Sequence, residues 1–240
     1  MIKNKKEIKN QFNIYHPIEN IIILKDENAK KLIKVLRIKE SEYFKALDGK
    51  GKEGIYIVKK IDKKTIIGEL TEINNRSENK KITLVCGIVK RKALETLINF
   101  ITQVGHTDII IVQTENSIRI DNNEKEKIIE RLKRISIEAI KQSEGFSPEI
   151  EYKSSIKDIS YTEENTYLLL DKEGTKNIKE IYKDIKNRVF IFLGPEGDFS
   201  KKEKEFIQTN FKAIPVKLSE NILRVETAGI VAISQLLLFI

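Results

Sequence analysis

Two segments near the end of the chain hold the residue types from which a small-molecule site can be built. In the first, Val189-Phe190-Ile191-Phe192-Leu193 runs straight into Gly194-Pro195-Glu196-Gly197-Asp198-Phe199-Ser200. In the second, Leu218-Ser219-Glu220-Asn221-Ile222-Leu223 leads into Arg224-Val225-Glu226-Thr227-Ala228-Gly229. The first reads as a buried strand feeding a tight loop that opens a helix. Glycine reaches backbone angles closed to other residues and lets a ligand come close; Pro195 stiffens the loop between its two glycines. Ser200 with Glu203 has the spacing of a capping box. In alternating α/β proteins, ligands bind where strand C-termini meet such loops. The spacing is neither the dinucleotide Gly-x-Gly-x-x-Gly fingerprint nor a phosphate loop. Alone, the tetrapeptide serves equally well as an ordinary strand-to-helix turn.

The second segment repeats the strand-loop-helix logic with charges set among apolar residues. Arg224 stands between Leu223 and Val225, and Glu226 follows. Buried charges are normally paired, so an Arg–Glu ion pair is one reading and a role in chemistry the other. Ala228, Gly229 and Ala232 give the final helix a small-residue start that admits another backbone or a partner helix. The apolar end from Leu236 to Ile240 calls for burial in the core or against a second subunit. The single cysteine, Cys86, excludes an internal disulfide framework and a cysteine zinc site. Its place in Ile82-Thr83-Leu84-Val85-Cys86 makes it a core residue.

The elements that position these loops alternate from Ile82 onward. Strands are expected at 82–88, 108–112, 167–170, 189–193 and 213–216. Helices are expected at 93–104, 123–143, 178–185 and 200–210, with a last one from Val225. Strands alternating with helices imply a mostly parallel sheet covered on both faces. Residues 1–73 have a different texture: an apolar run at 21–24, a helix at 29–38 carrying Leu32, Val35 and Leu36, and strands at 43–47, 54–58 and 65–70. Asp48-Gly49-Lys50-Gly51 and Asp62-Lys63-Lys64 are hairpin turns. A small barrel with one helix follows. Residues 74–81 contain no apolar residue and serve as the linker.

The net charge of +8 is uneven. Residues 1–75 carry 17 Lys and Arg against 11 Asp and Glu, and the remainder 27 against 25. A basic first third suits a polyanion such as nucleic acid. The chain is also rich in Ile, Lys and Asn throughout, as an AT-biased genome would make it. No run approaches the ~18 apolar residues of a membrane span, and the lysine-rich start lacks an apolar signal core. A cytoplasmic protein is expected.

Leu-Gly-Pro-Glu-Gly at 193–197, followed by Leu218-x-x-x-Ile222-Leu223-Arg224-x-Glu226-Thr227-Ala228, resembles the RsmE family of 16S ribosomal RNA uridine-N3 methyltransferases in the SPOUT superfamily. Tyr15-His16-Pro17 and Lys34-Val35-Leu36-Arg37 are similar to the family's N-terminal signatures. Residues 90–105, 137–142 and 148–150 are similar to its middle. Asp198 stands where the family carries a second glycine. Phe100 and Gln103 replace a usual lysine and glutamate, and Ser143-Glu144-Gly145 lacks the usual arginine. By resemblance this is a divergent member.

The resemblance implies an α/β fold: an N-terminal PUA-like β-barrel (1–73), a linker (74–81), and a SPOUT parallel-sheet domain with a trefoil knot (82–240). It further implies a homodimer that uses S-adenosylmethionine, without metal, to methylate N3 of one uridine in 16S rRNA of the small ribosomal subunit. The implied cofactor residues are Leu170, Leu193, Gly194, Pro195, Glu196, Gly197, Leu218, Ser219, Ile222, Leu223 and Thr227. Arg224 would stabilise charge on the uracil or orient it, and Glu226 would hold Arg224 or assist the proton. His16, Lys34 and Arg37 would touch RNA, although His16 before Pro17 is equally a turn residue. Two alternatives stay open: a paralogue that binds RNA without methylating it, and a knotted methyltransferase for another RNA position. His106 is assigned no role.

Overall fold

The computed structural model describes residues 13–76, 81–105 and 107–239. The lysine-rich start, residues 77–80 of the expected linker, His106 and Ile240 lie outside them. The described chain divides into two compact units.

The first unit is a five-stranded sheet in the order β1-β3-β4-β5-β2. Its strands are β1 (Ile14–Tyr15), β2 (Ile21–Leu24), β3 (Tyr43–Leu47), β4 (Lys52–Asp62) and β5 (Thr65–Asn75). All pairs are antiparallel except β1 with β3. Period-two patterning is plain in β2, where Ile22 and Leu24 are buried while Ile21 and Ile23 face out. The core stacks Phe44 on Tyr56 with centroids 5.5 Å apart. The Tyr56 hydroxyl donates to the Glu19 carbonyl at 2.8 Å, and burial raises its pKa.

The helix expected at 29–38 is displaced. Helix α1 spans Asp26–Lys30 and continues as a wider turn over Lys31–Val35, closed by the Leu36 amide on the Lys31 carbonyl. That five-residue closure rotates Val35 away from the buried face occupied by Leu32, leaving Val35 59% exposed. Residues 140–146 also cluster with this unit. There the Glu144 carboxylate accepts from Lys45 at 2.9 Å and from Asn13, and Arg76 lies over the Phe146 ring.

The second unit is built on six parallel strands in the order β11-β9-β10-β6-β7-β8. They are β6 (Lys81–Gly87), β7 (Thr107–Val112), β8 (Ile150–Lys153), β9 (Thr166–Leu170), β10 (Arg188–Leu193) and β11 (Ile214–Val216). Burial on both faces explains the unbroken apolar runs of β9 and β10. Cys86 is fully buried, and burial, reinforced by nearby Glu196, pushes its thiol up to about 12. The helices are α2 (Arg91–Val104), α3 (Asn122–Ser143), α4 (Ile178–Ile181), α5 (Lys201–Asn210) and α6 (Val225–Leu237). Helix α4 is shorter than expected, because its last residues tighten into a 3-10 turn at Tyr182–Asp184. The capping box at Ser200 forms as its spacing requires.

Gly229 explains the small start of α6. A Cβ there would lie 2.4 Å from Leu97 Cδ1 of α2, so the close neighbour is a helix of the same chain. Of the apolar end, Leu236 is buried and Leu238 is 78% exposed.

Candidate functional site

Because all six strands are parallel, their C-termini share one edge of the sheet. Leu170 pairs with Val216, and Leu169 with Phe192, which sets the ends of β9, β10 and β11 level. The two loops singled out from the sequence and the loop after Leu170 therefore leave the sheet side by side. Leu170 and Leu193 belong to one apolar cluster with Val225 and Ala228, against which Leu218 and Leu223 pack.

The Gly-Pro-Glu-Gly loop is held by contacts that glycine alone admits. A Cβ on Gly194 would meet Asp198 Oδ1 at 2.8 Å and the Phe199 nitrogen at 2.9 Å. The Asp198 amide donates to the Pro195 carbonyl at 2.8 Å, closing the turn. Asp198 has φ of 59°, a left-handed conformation that favours glycine. The aspartate is held there by its side chain: Oδ1 accepts from the Phe199 amide at 2.7 Å, and Oδ2 pairs with Lys204 Nζ at 2.7 Å. The same ammonium reaches Asp171 Oδ2, just after β9, at 2.9 Å. Lys204 thus ties the loop after β9 to the loop after β10. Burial opposes its charge, but Asp198 and Asp171 outweigh that and hold its pKa above the ordinary lysine value.

Further contacts fix the loop from outside. Glu196 accepts from the Lys90 amide at 3.0 Å, which sets a carboxylate at the N-terminus of α2 where the helix dipole favours it. Asn116 Nδ2 donates to the carbonyls of Gly197 and Asp198 at 3.2 and 3.0 Å.

The candidate catalytic residues are placed differently. Arg224 is the exposed N-cap residue of α6 and makes no side-chain cap; Glu226 and Thr227 follow in the first turn. Among the described residues neither Arg224 nor Glu226 forms an ion pair, so the Arg–Glu pairing is not present. Ser219 Oγ accepts from the Asn221 amide at 3.1 Å, and Ile222 is 86% exposed. His16, Lys34 and Arg37 lie in the first unit. His16 Nδ1 donates to the Pro17 carbonyl at 2.7 Å, as a turn residue would, whereas Lys34 and Arg37 are exposed.

A family model described as an RNA methyltransferase domain matches residues 76–237, and one described as an RNA methyltransferase PUA domain matches 24–71. The ribosomal RNA small subunit methyltransferase E of Rickettsia conorii is 33% identical over 90% of this chain and 88% of its own. That of Borreliella burgdorferi, named methyltransferase E 1, is 30% identical over 88% and 90%.

The chain belongs to this RNA methyltransferase family.

Its fold is also that of the methyltransferase E from Neisseria gonorrhoeae solved bound to S-adenosyl methionine. The TM-score is 0.78 at 23% identity, over 92% of this chain and 94% of that one. The family's PUA and methyltransferase parts correspond to the β-rich and parallel-sheet textures of the sequence.

Sequence reasoning missed Lys204, Asp171 and Asn116. Asp171 directly follows a four-residue apolar run and was open to notice as the first loop residue after a strand. Asn116 joins Gly197 across 81 positions, and no local pattern marks it.

Proposed function

We propose that this chain transfers a methyl group from S-adenosylmethionine to N3 of a uridine in 16S ribosomal RNA, acting in the cytoplasm as a homodimer whose C-terminal loops form a trefoil knot. The observation that carries the reading is the level ending of β9, β10 and β11 beneath the three loops. The loops suit the donor's mixed chemistry. Leu170, Leu193, Leu218 and Leu223 offer an apolar wall for an adenine ring. Gly194 and Gly197 allow close backbone approach, and Ile222 presents an apolar side chain that its own unit leaves uncovered. Pro195, Glu196, Ser219 and Thr227 complete the proposed donor-binding set.

S-adenosylmethionine supplies an electrophilic sulfonium methyl group. The chain's own task is to position a weakly nucleophilic imide nitrogen in line with that methyl and to favour the charge that develops on the uracil oxygens. Arg224, exposed beside the donor loops and without an anionic partner among the described residues, is the cation for that charge. Glu226, two residues on and without an ion pair to Arg224 among the described residues, assists the proton.

The dimer reading rests on the outer face of α2 and the end of α6. Phe100, Val104 and Leu238 are exposed there, and Gly105 abuts Leu237. Such a contiguous apolar patch marks an association surface. Lys34 and Arg37, with His16, are the proposed RNA contacts of the first unit. No helix among the described residues is long and apolar enough to cross a membrane.

The test is a primer-extension stop, because N3-methyluridine cannot form its Watson–Crick pair. Deleting the gene should remove one stop in 16S rRNA, and restoring the wild-type chain should return it. An unchanged stop pattern would end the target assignment.

A further inference from the structure

A cavity of about 760 Å³ opens in the second unit at the C-terminal ends of β7 and β8, and none of the residues assigned to the donor or to catalysis lines it. Its size is that of a small-ligand site. We propose that it holds a nucleotide of single-stranded RNA flanking the methylated one. The proposal rests on the methyltransferase reading and gives that substrate a second hold on the same sheet edge.

Charge is the first argument. Arg119, Lys125, Lys157 and Lys202 line the cavity against two carboxylates, Glu115 and Glu203. Both oxygens of Glu203 are already engaged, accepting from the amides of Glu115 and Ser200 at 2.9 Å each. Arg119, Lys157 and Lys202 have no anionic partner among the described residues. Four cations against two carboxylates, one of them already held by backbone amides, leave this concave site net positive, which suits a phosphate.

The aromatic residues supply the second argument. Lys125 Nζ lies 4.5 Å from the Tyr152 ring centroid and Lys157 Nζ 5.8 Å from that of Phe206. Each ring in the cavity wall therefore has an ammonium beside it. A bound phosphate would draw these ammonium groups off the rings and leave the ring faces to a base, the pairing of stacking platform and cationic groove that single strands use.

Position completes the case. Asn116, in the loop that lines the cavity, is the residue that grips Gly197 and Asp198. The cleft therefore adjoins the donor loops from the other side.

The test uses the full chain and a fluorescent hexauridylate, followed by anisotropy over a range of salt. Lys157 and Lys202 are exposed, so the double variant Lys157→Glu/Lys202→Glu should fold, with unchanged S-adenosylmethionine affinity as the control. Its affinity for hexauridylate should fall at least about tenfold, and the salt slope should flatten by ~1.4, as losing two single-strand phosphate contacts requires. Photocrosslinking of a 4-thiouridine hexamer should label Tyr152 or Phe206. Unchanged affinity and slope, or crosslinks confined to other residues, would overturn the proposal. So would competition by inorganic phosphate as strong as that by uridine monophosphate, which would mark an anion site rather than a nucleotide site. If the wild-type chain binds no S-adenosylmethionine, the methyltransferase reading fails, while the hexauridylate result still decides the cleft by itself.

Discussion

One edge of the parallel sheet carries two neighbouring surfaces of opposite character. Above β9, β10 and β11 the loops are glycine-bearing and apolar, and the charges that join them are satisfied internally, with Lys204 shared by Asp171 and Asp198, while Arg224 stays exposed and unpaired among the described residues. Above β7 and β8 the wall is cationic, aromatic and short of acids. The same strand geometry thus underlies both, and side-chain choice separates the proposed cofactor surface from the proposed polyanion surface. Between them runs the loop from Gly194 to Ser200, gripped by Asn116 on one side and Lys204 on the other.

Substitutions on the first surface should leave the second untouched. The largest effect is expected for Arg224→Ala, which should slow single-turnover methyl transfer by roughly 10²-fold while changing donor affinity little. Equal losses in both would make Arg224 structural. Gly194→Ala forces a Cβ onto Asp198 and the Phe199 nitrogen; calorimetry should show donor affinity reduced by about tenfold, with hexauridylate binding retained. Loss of both would mean that the two surfaces are not separable.

Smaller effects sharpen the comparison. Lys204→Met leaves Asp171 and Asp198 facing each other without their shared cation, so donor affinity should weaken by a few-fold in calorimetric titration. At position 198 the left-handed backbone and the ion pair can be parted. Asp198→Ala should be less stable than Asp198→Gly by about 1 kcal/mol, since both lose the pair but only alanine keeps the cost of the left-handed conformation; urea denaturation measures the difference.

The smallest effect concerns an ion-pair cluster at Glu95 of α2. Glu95 accepts from Arg131 Nε and, at 3.0 Å, from its second nitrogen, and also pairs with Arg91. The hydrogen bond from Arg131 lowers its pKa to about 2 from 4.5. A depressed carboxylate pKa gives stability that is complete above the unfolded value and lost as pH falls through the folded one. Thermal melts of Glu95→Gln should therefore fall slightly below wild type at neutral pH and converge with it between pH 4.5 and 2.

What the sequence made legible was local. Strand runs such as 43–47 and 189–193, the Ser200–Glu203 cap and the turn-forming glycines follow from side-chain pattern within a few residues. The loops proposed to hold the donor stand out for the same reason, because each follows an apolar strand. The wider turn that turns Val35 outward was not, since spacing alone reads as an ordinary helix. Nor was the short strand β8, whose four residues carry little periodicity. Asp198 looks from the sequence like a departure from a glycine. Its reason is Lys204, which becomes meaningful only when the ends of β9 and β10 are set side by side. Residues 140–146, whose Glu144 meets Lys45 across 99 positions, were invisible in the same way.

The most direct test of the central claim is calorimetric titration of S-adenosylmethionine into the full chain. The account predicts saturable binding at one site per chain, weakened by Lys204→Met and unaffected by Lys157→Glu/Lys202→Glu. Absence of binding at millimolar ligand would contradict it.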